Sequence, residues 1–176
     1  MGYCGGVADN PSYRSVCADP NFSDYAEAVH VDFDPAVLSY ETVLEAFFRM
    51  HDATAQGRSR QYASIIFTHS ESQAQQAQRA LAAQPRAVTT IEAAMPFWDA
   101  EAYHQKWLLQ RKRPLFLALG MDSPDELLGK PATVLNAVAA GKLRPDIAMR
   151  RLDALLEAGD ISFEAHNSIA LELFGA

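Results

Sequence analysis

Two thiols, Cys4 and Cys17, are the strongest nucleophiles among these 176 residues. A thiol attacks as its thiolate, which needs an electropositive or donor-rich setting. Cys4 precedes Gly5 and Gly6, whose backbone N–H groups can approach a thiolate closely. The competing reading is a buried, inert small hydrophobe. Cys17 closes the run Asn10-Pro11-Ser12-Tyr13-Arg14-Ser15-Val16-Cys17. A Cys4–Cys17 disulfide is open, but no feature of the sequence demands it. Taken alone, Glu27 reads as a solvated acid near a strand start, Tyr13 as a loop anchor and Tyr62 as an aromatic at the start of a strand. His51, His69 and His104 are scattered, and His30 and His166 have no obvious partner, so no zinc spacing emerges. There is no phosphate loop, no dinucleotide fingerprint and no serine elbow.

The elements that must position these groups follow from periodicity. Residues 1–25 are rich in Gly, Asn-Pro and Asp-Pro turns and read as a long loop. Residues 26–33 alternate, with Val29, Val31 and Phe33 on one face, which predicts a strand. Tyr40, Val43, Leu44, Phe47 and Phe48 form a helical stripe capped by Ser39. Residues 62–68 predict a buried strand, and Ser70 with Gln73 predicts a capping box for a helix to about Gln84. Val88–Glu92 reads as a short strand, and Asp99 as the cap of a helix through Gln110. After Pro114 no strand pattern remains. Three short helices over 131–140, 145–158 and 162–174 start at Pro or Ser and stop at Gly141, Gly159 and Gly175. A boundary is therefore expected across Arg113–Asp122. Residues 122–176 then form an all-α appendage whose apolar residues include Ile147, Ala148, Leu152, Leu155, Leu156, Phe163, Ile169, Leu171 and Phe174.

Composition narrows the classes. With 49% hydrophobic and 21% charged residues, the chain can bury a core without a disulfide framework. The net charge of −7 arises entirely within residues 1–48, which hold eight acids and one base. The basic group Lys106, Arg111, Lys112 and Arg113 is short and reads as a solvated helix end, so no nucleic-acid partner is expected. No apolar run reaches the roughly 18–20 residues of a membrane helix. No signal peptide is visible, and a reducing, cytoplasmic compartment is expected, with an organelle left open.

Several short motifs then follow in order. They are Gly2-Tyr3-Cys4-Gly5-Gly6, Asn10-Pro11 through Cys17, Tyr25-Ala26-Glu27-Ala28-Val29, Phe33-Asp34-Pro35 and His51-Asp52. Gln61-Tyr62-Ala63-Ser64-Ile65-Ile66-Phe67, Thr90-Ile91-Glu92 and Ala100 through Gln105 complete the series. Together they resemble peptide methionine sulfoxide reductase of the A type, from Met1 to about Leu109. The resemblance implies an α/β (α+β) fold, a ferredoxin-like two-layer sandwich around a mixed sheet, over residues 1–113. It implies reduction of the S epimer of methionine sulfoxide in proteins or peptides, the repair step of the methionine oxidation ladder. Glu27 would be the acid, and Tyr13 and Tyr62 would hold the sulfoxide oxygen. A cysteine would become a sulfenic acid, a second would resolve it, and thioredoxin or dithiothreitol would be the reductant. No bound cofactor or metal is implied.

The sequence also departs from the family pattern. The family's nucleophile lies in a Gly-Cys-Phe-Trp-Gly motif upstream of Gly-Tyr-x-Gly-Gly, and these residues begin at the latter. The nucleophile, its two aromatic neighbours, the first strand and the first helix lie outside them. Phe97-Trp98 belongs to a different family motif. The loop Gln56-Gly57-Arg58-Ser59-Arg60 is short and lacks the family's aspartate, and no cysteine follows Leu109. Weak or absent activity is therefore expected, with Cys4 and Cys17 as substitute nucleophile candidates, although Cys17 matches a position where the family often carries a cysteine that is not the nucleophile. The alternative is a non-catalytic binding protein using the retained pocket or the helical tail. An omitted upstream segment, a degenerate family member and tail helices that cover exposed core are competing explanations.

Overall fold

The computed structural model describes residues 1–55, 57–121 and 124–175. Gln56, in the shortened loop, and Asp122, at the expected boundary, lie outside the described residues. The chain divides into two compact units, Met1–Ala100 and Glu101–Ala176.

The first unit is mixed α/β. Its strands are β1 (Gly2–Cys4), β2 (Ala26–Ala28), β3 (Ile65–Thr68), β4 (Thr90–Ala93) and β5 (Trp98–Asp99). Its helices are α1 (Tyr13–Ala18), α2 (Tyr40–Met50) and α3 (Glu71–Ala82). The strands form two sheets: antiparallel β2-β1-β5, and β3-β4 paired in parallel. The expected mixture of strand directions is therefore shared between two small sheets. Tyr3, Val16, Tyr25 and Ala100 form one core cluster, while Leu44, Ile66 and Ala77 form a second with Tyr40, Phe47 and Phe48 around it. The apolar stripe predicted for α2 is the face that packs.

Residues 1–25 are not one long loop. Tyr3 and Cys4 are buried in the β1 ladder. Asn10 takes φ 56°, and α1 follows Pro11. Ser12 starts α1 by accepting from Ser15 N–H, while Ser15 Oγ accepts from Ser12 N–H at 2.8 Å. This reciprocal pair satisfies two otherwise unpaired donors of the first turn. The strand expected over 26–33 ends at Ala28. Its ladder stops where Ala28 faces Gly2, and Val29 and Val31 are exposed. Alternation alone cannot supply a neighbouring strand. Ser70 caps α3 as expected, but Gln73 Oε1 accepts from His69 N–H, one residue before the cap.

The second unit is helical: α4 (Trp107–Arg111), α5 (Arg113–Ala118), α6 (Lys130–Ala139), α7 (Pro145–Glu157) and α8 (Phe163–Phe174). The helix expected from Asp99 to Gln110 is interrupted. Residues 102–104 form a 3-10 turn, and Lys106 is left-handed at φ 45°, so α4 begins only at Trp107. Leu109, Leu135, Leu152 and Ile169 are fully buried against one another, giving this unit its own core. Of the apolar residues named for the tail, Ala148, Leu152 and Ile169 are buried. Phe163, Leu171 and Phe174 are exposed, at 63%, 69% and 56%. Gly141 and Gly159 end α6 and α7 at φ 66° and 77°, a conformation that spares glycine the Cβ clash.

Candidate active site

Helix α1 carries two of the candidate groups. Tyr13 and Cys17 are four residues apart, on one helical face, and Val16 points into the core instead. Both Tyr13 and Cys17 are exposed. Strand β2 carries Glu27, held opposite Tyr3 in the ladder with β1. A 3-10 turn over Arg60–Tyr62 brings Gln61 and Tyr62 to the same place.

Gln61 joins these elements. Its amide nitrogen donates to Glu27 Oε1 at 2.7 Å and contacts Cys17 Sγ at 3.1 Å. Gln61 is 7% exposed, whereas Tyr62 beside it in sequence is 56% exposed. The Tyr13 hydroxyl is held in its neutral form, first by its hydrogen bond with Cys17 and then by the negative potential of Cys17, Tyr62 and Glu27. Desolvation, followed by the charge of Glu27, raises the Tyr62 hydroxyl above the ordinary phenol range as well. Both phenols therefore remain O–H donors at neutral pH.

Arg60 anchors the turn that presents Gln61 and Tyr62. Its guanidinium makes a bidentate pair with Glu92 on β4, at 3.0 and 2.6 Å, and its Nε donates to the Asp24 carbonyl at 2.5 Å. Asp24 Oδ2 in turn accepts from Val7 N–H. The Arg60 hydrogen bonds hold the Glu92 carboxyl below the usual carboxylate range. The fork therefore ties the turn to both sheets: to β4 through Glu92, and to the residues leading into β2 through Asp24.

Tyr13, Glu27, Tyr62 and Cys17 thus come together. Cys4 does not join them. It is buried in β1, its Sγ lies 3.5 Å from the Met95 carbonyl, and both cysteines are free thiols. His104 lies in the 3-10 turn of the second unit, against the Tyr103 ring. Among the described residues, no group of three or more His, Cys, Asp or Glu side chains could hold a metal ion. No described helix is long and apolar enough to cross a membrane.

A family model described as peptide methionine sulfoxide reductase matches residues 1–123. The chain belongs to that family. The reductase match passes the division at Ala100 and extends into the helical unit. The peptide methionine sulfoxide reductase MsrA of Acidobacterium capsulatum is 43% identical over 122 residues, covering 62% of this chain and 77% of that protein. The MsrA of Chromobacterium violaceum is 38% identical over 130 residues, covering 67% and 73%. The MsrA of Streptomyces griseus is 42% identical, and the chain spans only 55% of its length. The crystal structure of Mxr1 from Saccharomyces cerevisiae in reduced form superposes with a TM-score of 0.58 at 31% identity, covering 64% of this chain and 70% of that one. The α/β fold of the reductase family is thereby shared.

The bridging role of Gln61 and the anchoring role of Arg60 were not assigned from the reductase motifs. Gln61 stands inside the Gln61-Tyr62 motif, next to the residue that attracts attention. Its signal is a buried amide beside exposed aromatics, which appears only once α1 and β2 are packed. Arg60 lies in the short loop that departs from the family pattern, and no local spacing ties it to Glu92.

Proposed function

We propose that this chain acts on methionine-S-sulfoxide in oxidised proteins and peptides. Glu27 supplies the proton that makes the sulfoxide oxygen a leaving group, and the Tyr13 and Tyr62 hydroxyls hold that oxygen. Neutral phenols suit this task because they donate without a charge to desolvate. The reductant would be a dithiol, thioredoxin in a reducing cytoplasm or dithiothreitol in the test tube. Residues 1–113 would carry this chemistry, with 122–176 as a helical extension outside it.

The convergence of Glu27, Tyr13 and Tyr62 around the buried Gln61 amide supports this reading. Residues 1–176 assayed by themselves, without a Gly-Cys-Phe-Trp-Gly motif among them, are expected to turn over weakly. A second reading keeps the same face as a non-catalytic binding site for the oxidised side chain, favoured by the Gln61 amide that fixes Glu27 between the Tyr13 and Tyr62 hydroxyls.

The test is a titration of the chain with N-acetyl-methionine-S-sulfoxide amide, followed by NMR, beside its R epimer and the thioether. Selective perturbation of Tyr13, Glu27 and Tyr62 by the S epimer is the expected result, weakened in Glu27→Gln. A folded protein that binds neither epimer would end this reading. Methionine production with dithiothreitol separates the enzyme from the binding protein.

A further inference from the structure

The helical unit carries an apolar surface that its own core does not use. On α8, Ala165 and Ile169 are buried, while Phe163, Leu171 and Phe174 are 63%, 69% and 56% exposed. Helical spacing puts the exposed three on one stripe, on the side away from the buried pair. A helix with apolar residues on both sides is ordinarily covered on both. The outer side of α7 shows the contrast, with Arg150, Arg151, Asp153 and Glu157 in solvent. Leu117, 57% exposed, stands on α5, the helix packed beside α8.

We propose that this surface pairs two copies of the chain about a two-fold axis, the α5 edge of each against the α8 edge of the other. Charge argues for a second copy. Lys112 and Arg113 are exposed at the start of α5, and Glu164 and Glu172 are exposed on α8. None of the four makes an ion pair among the described residues. Elsewhere in the same unit Lys130 pairs with Asp160, and Asp146 with Arg144 and Arg150. Two α8 faces set directly against each other would bring acid against acid. The crossed arrangement brings the bases of α5 to the acids of α8 twice, because every contact of a two-fold interface recurs with the copies exchanged. It also closes on itself, so the pair does not extend into a fibre.

Size sets the strength. Two phenylalanines and two leucines exposed to this degree leave about 400–500 Å² of apolar surface, the range in which patches mark contact sites. Two copies would cover about 1,000 Å² from these side chains, the lower limit for a specific interface and well short of the roughly 1,600 Å² of a standard one. The dimer is therefore weak, forming at about 10–100 μM, with the chain a monomer below that.

The test is sedimentation velocity of the whole 176-residue chain across a concentration series from about 5 to 500 μM, spanning the expected dissociation constant. The expected result is a reversible shift from monomer to dimer mass, lost in Leu171→Gln and in Phe174→Ser. Both positions are exposed, so the variants stay folded by circular dichroism. Two charge-reversed chains test the crossed pairing. One carries Lys112→Glu with Arg113→Glu, the other Glu164→Lys with Glu172→Lys. Each alone sets like charges against each other and should remain monomeric. Mixed, they restore opposite charges at both edges and should form a heterodimer. Both chains remain net negative, so overall charge cannot draw them together. A monomer throughout the series would overturn the proposal. So would a dimer that survives Leu171→Gln and Phe174→Ser, or a mixture that associates no better than its components.

Discussion

Gln61 donates a 2.7 Å hydrogen bond to Glu27 from a turn that lies 34 residues further along the chain. The bond fixes one oxygen of the Glu27 carboxylate. Because the amide is buried, nothing replaces it when it is removed.

Gln61→Ala should therefore cost about 1–2 kcal/mol of stability, from a lost buried hydrogen bond and a polar partner left unpaired. Urea unfolding followed by circular dichroism measures it. A change under about 0.5 kcal/mol, the ordinary range for surface substitutions, would mean that water satisfies Glu27 equally well.

Tyr13→Phe and Tyr62→Phe remove a hydroxyl and keep the ring. Each should weaken methionine-S-sulfoxide binding by about three- to tenfold, the range of one neutral hydrogen bond, with the fold unchanged. Because both hydroxyls are raised above the ordinary phenol range, wild-type binding should persist through neutral and mildly alkaline pH. It should fall only above about pH 10, where phenols ionise. Affinity lost near pH 8 would refute the role of neutral phenol donors.

The Arg60–Glu92 pair predicts an acid limb in stability. Glu92 has a folded pKa below its unfolded value, so its contribution is fully present above the unfolded pKa of about 4.3. It is lost as pH falls through the folded value. Both partners are about a third exposed, so the contribution is modest. The gap in Tm between wild type and Glu92→Gln should be constant from about pH 6 to 8 and should close below about pH 4. A gap that widens on acidification would contradict the pairing.

Leu152 is fully buried in the helical unit. Leu152→Ala should cost about 2–5 kcal/mol, through lost transfer energy and a cavity among Leu109, Leu135 and Ile169. Phe163→Ala, at an exposed position, should stay within about 0.5 kcal/mol. Comparable losses from both in chemical denaturation would show that the apolar face of α8 is not oriented as described.

Local chemistry was legible in the sequence wherever one element settles the matter by itself. Ser39 and Ser70 cap helices because their hydroxyls meet N–H groups only three residues on. Gly141 and Gly159 stop helices because the required backbone is costly for any other residue. The α2 stripe follows from 3.6-residue periodicity, and the family from the order of its motifs. Pairing is another matter. Val29 and Val31 alternate like a strand, yet the ladder ends at Ala28 because among the described residues no strand pairs beyond Gly2. Phe163, Leu171 and Phe174 look like core and face solvent, because a helix does not encode which of its apolar residues meets a neighbour. Likewise, Cys4 and Cys17 are both small thiols in glycine- and serine-rich surroundings. Only packing buried the first in β1 and set the second beside Tyr13, Gln61 and Glu27. The residue types fixed what chemistry was available, because proton donors, phenols and thiols act through bonds of a few ångströms. Which of them act together depended on contacts between residues far apart in the chain, and those exist only once the turn at Arg60–Tyr62 is folded against α1 and β2.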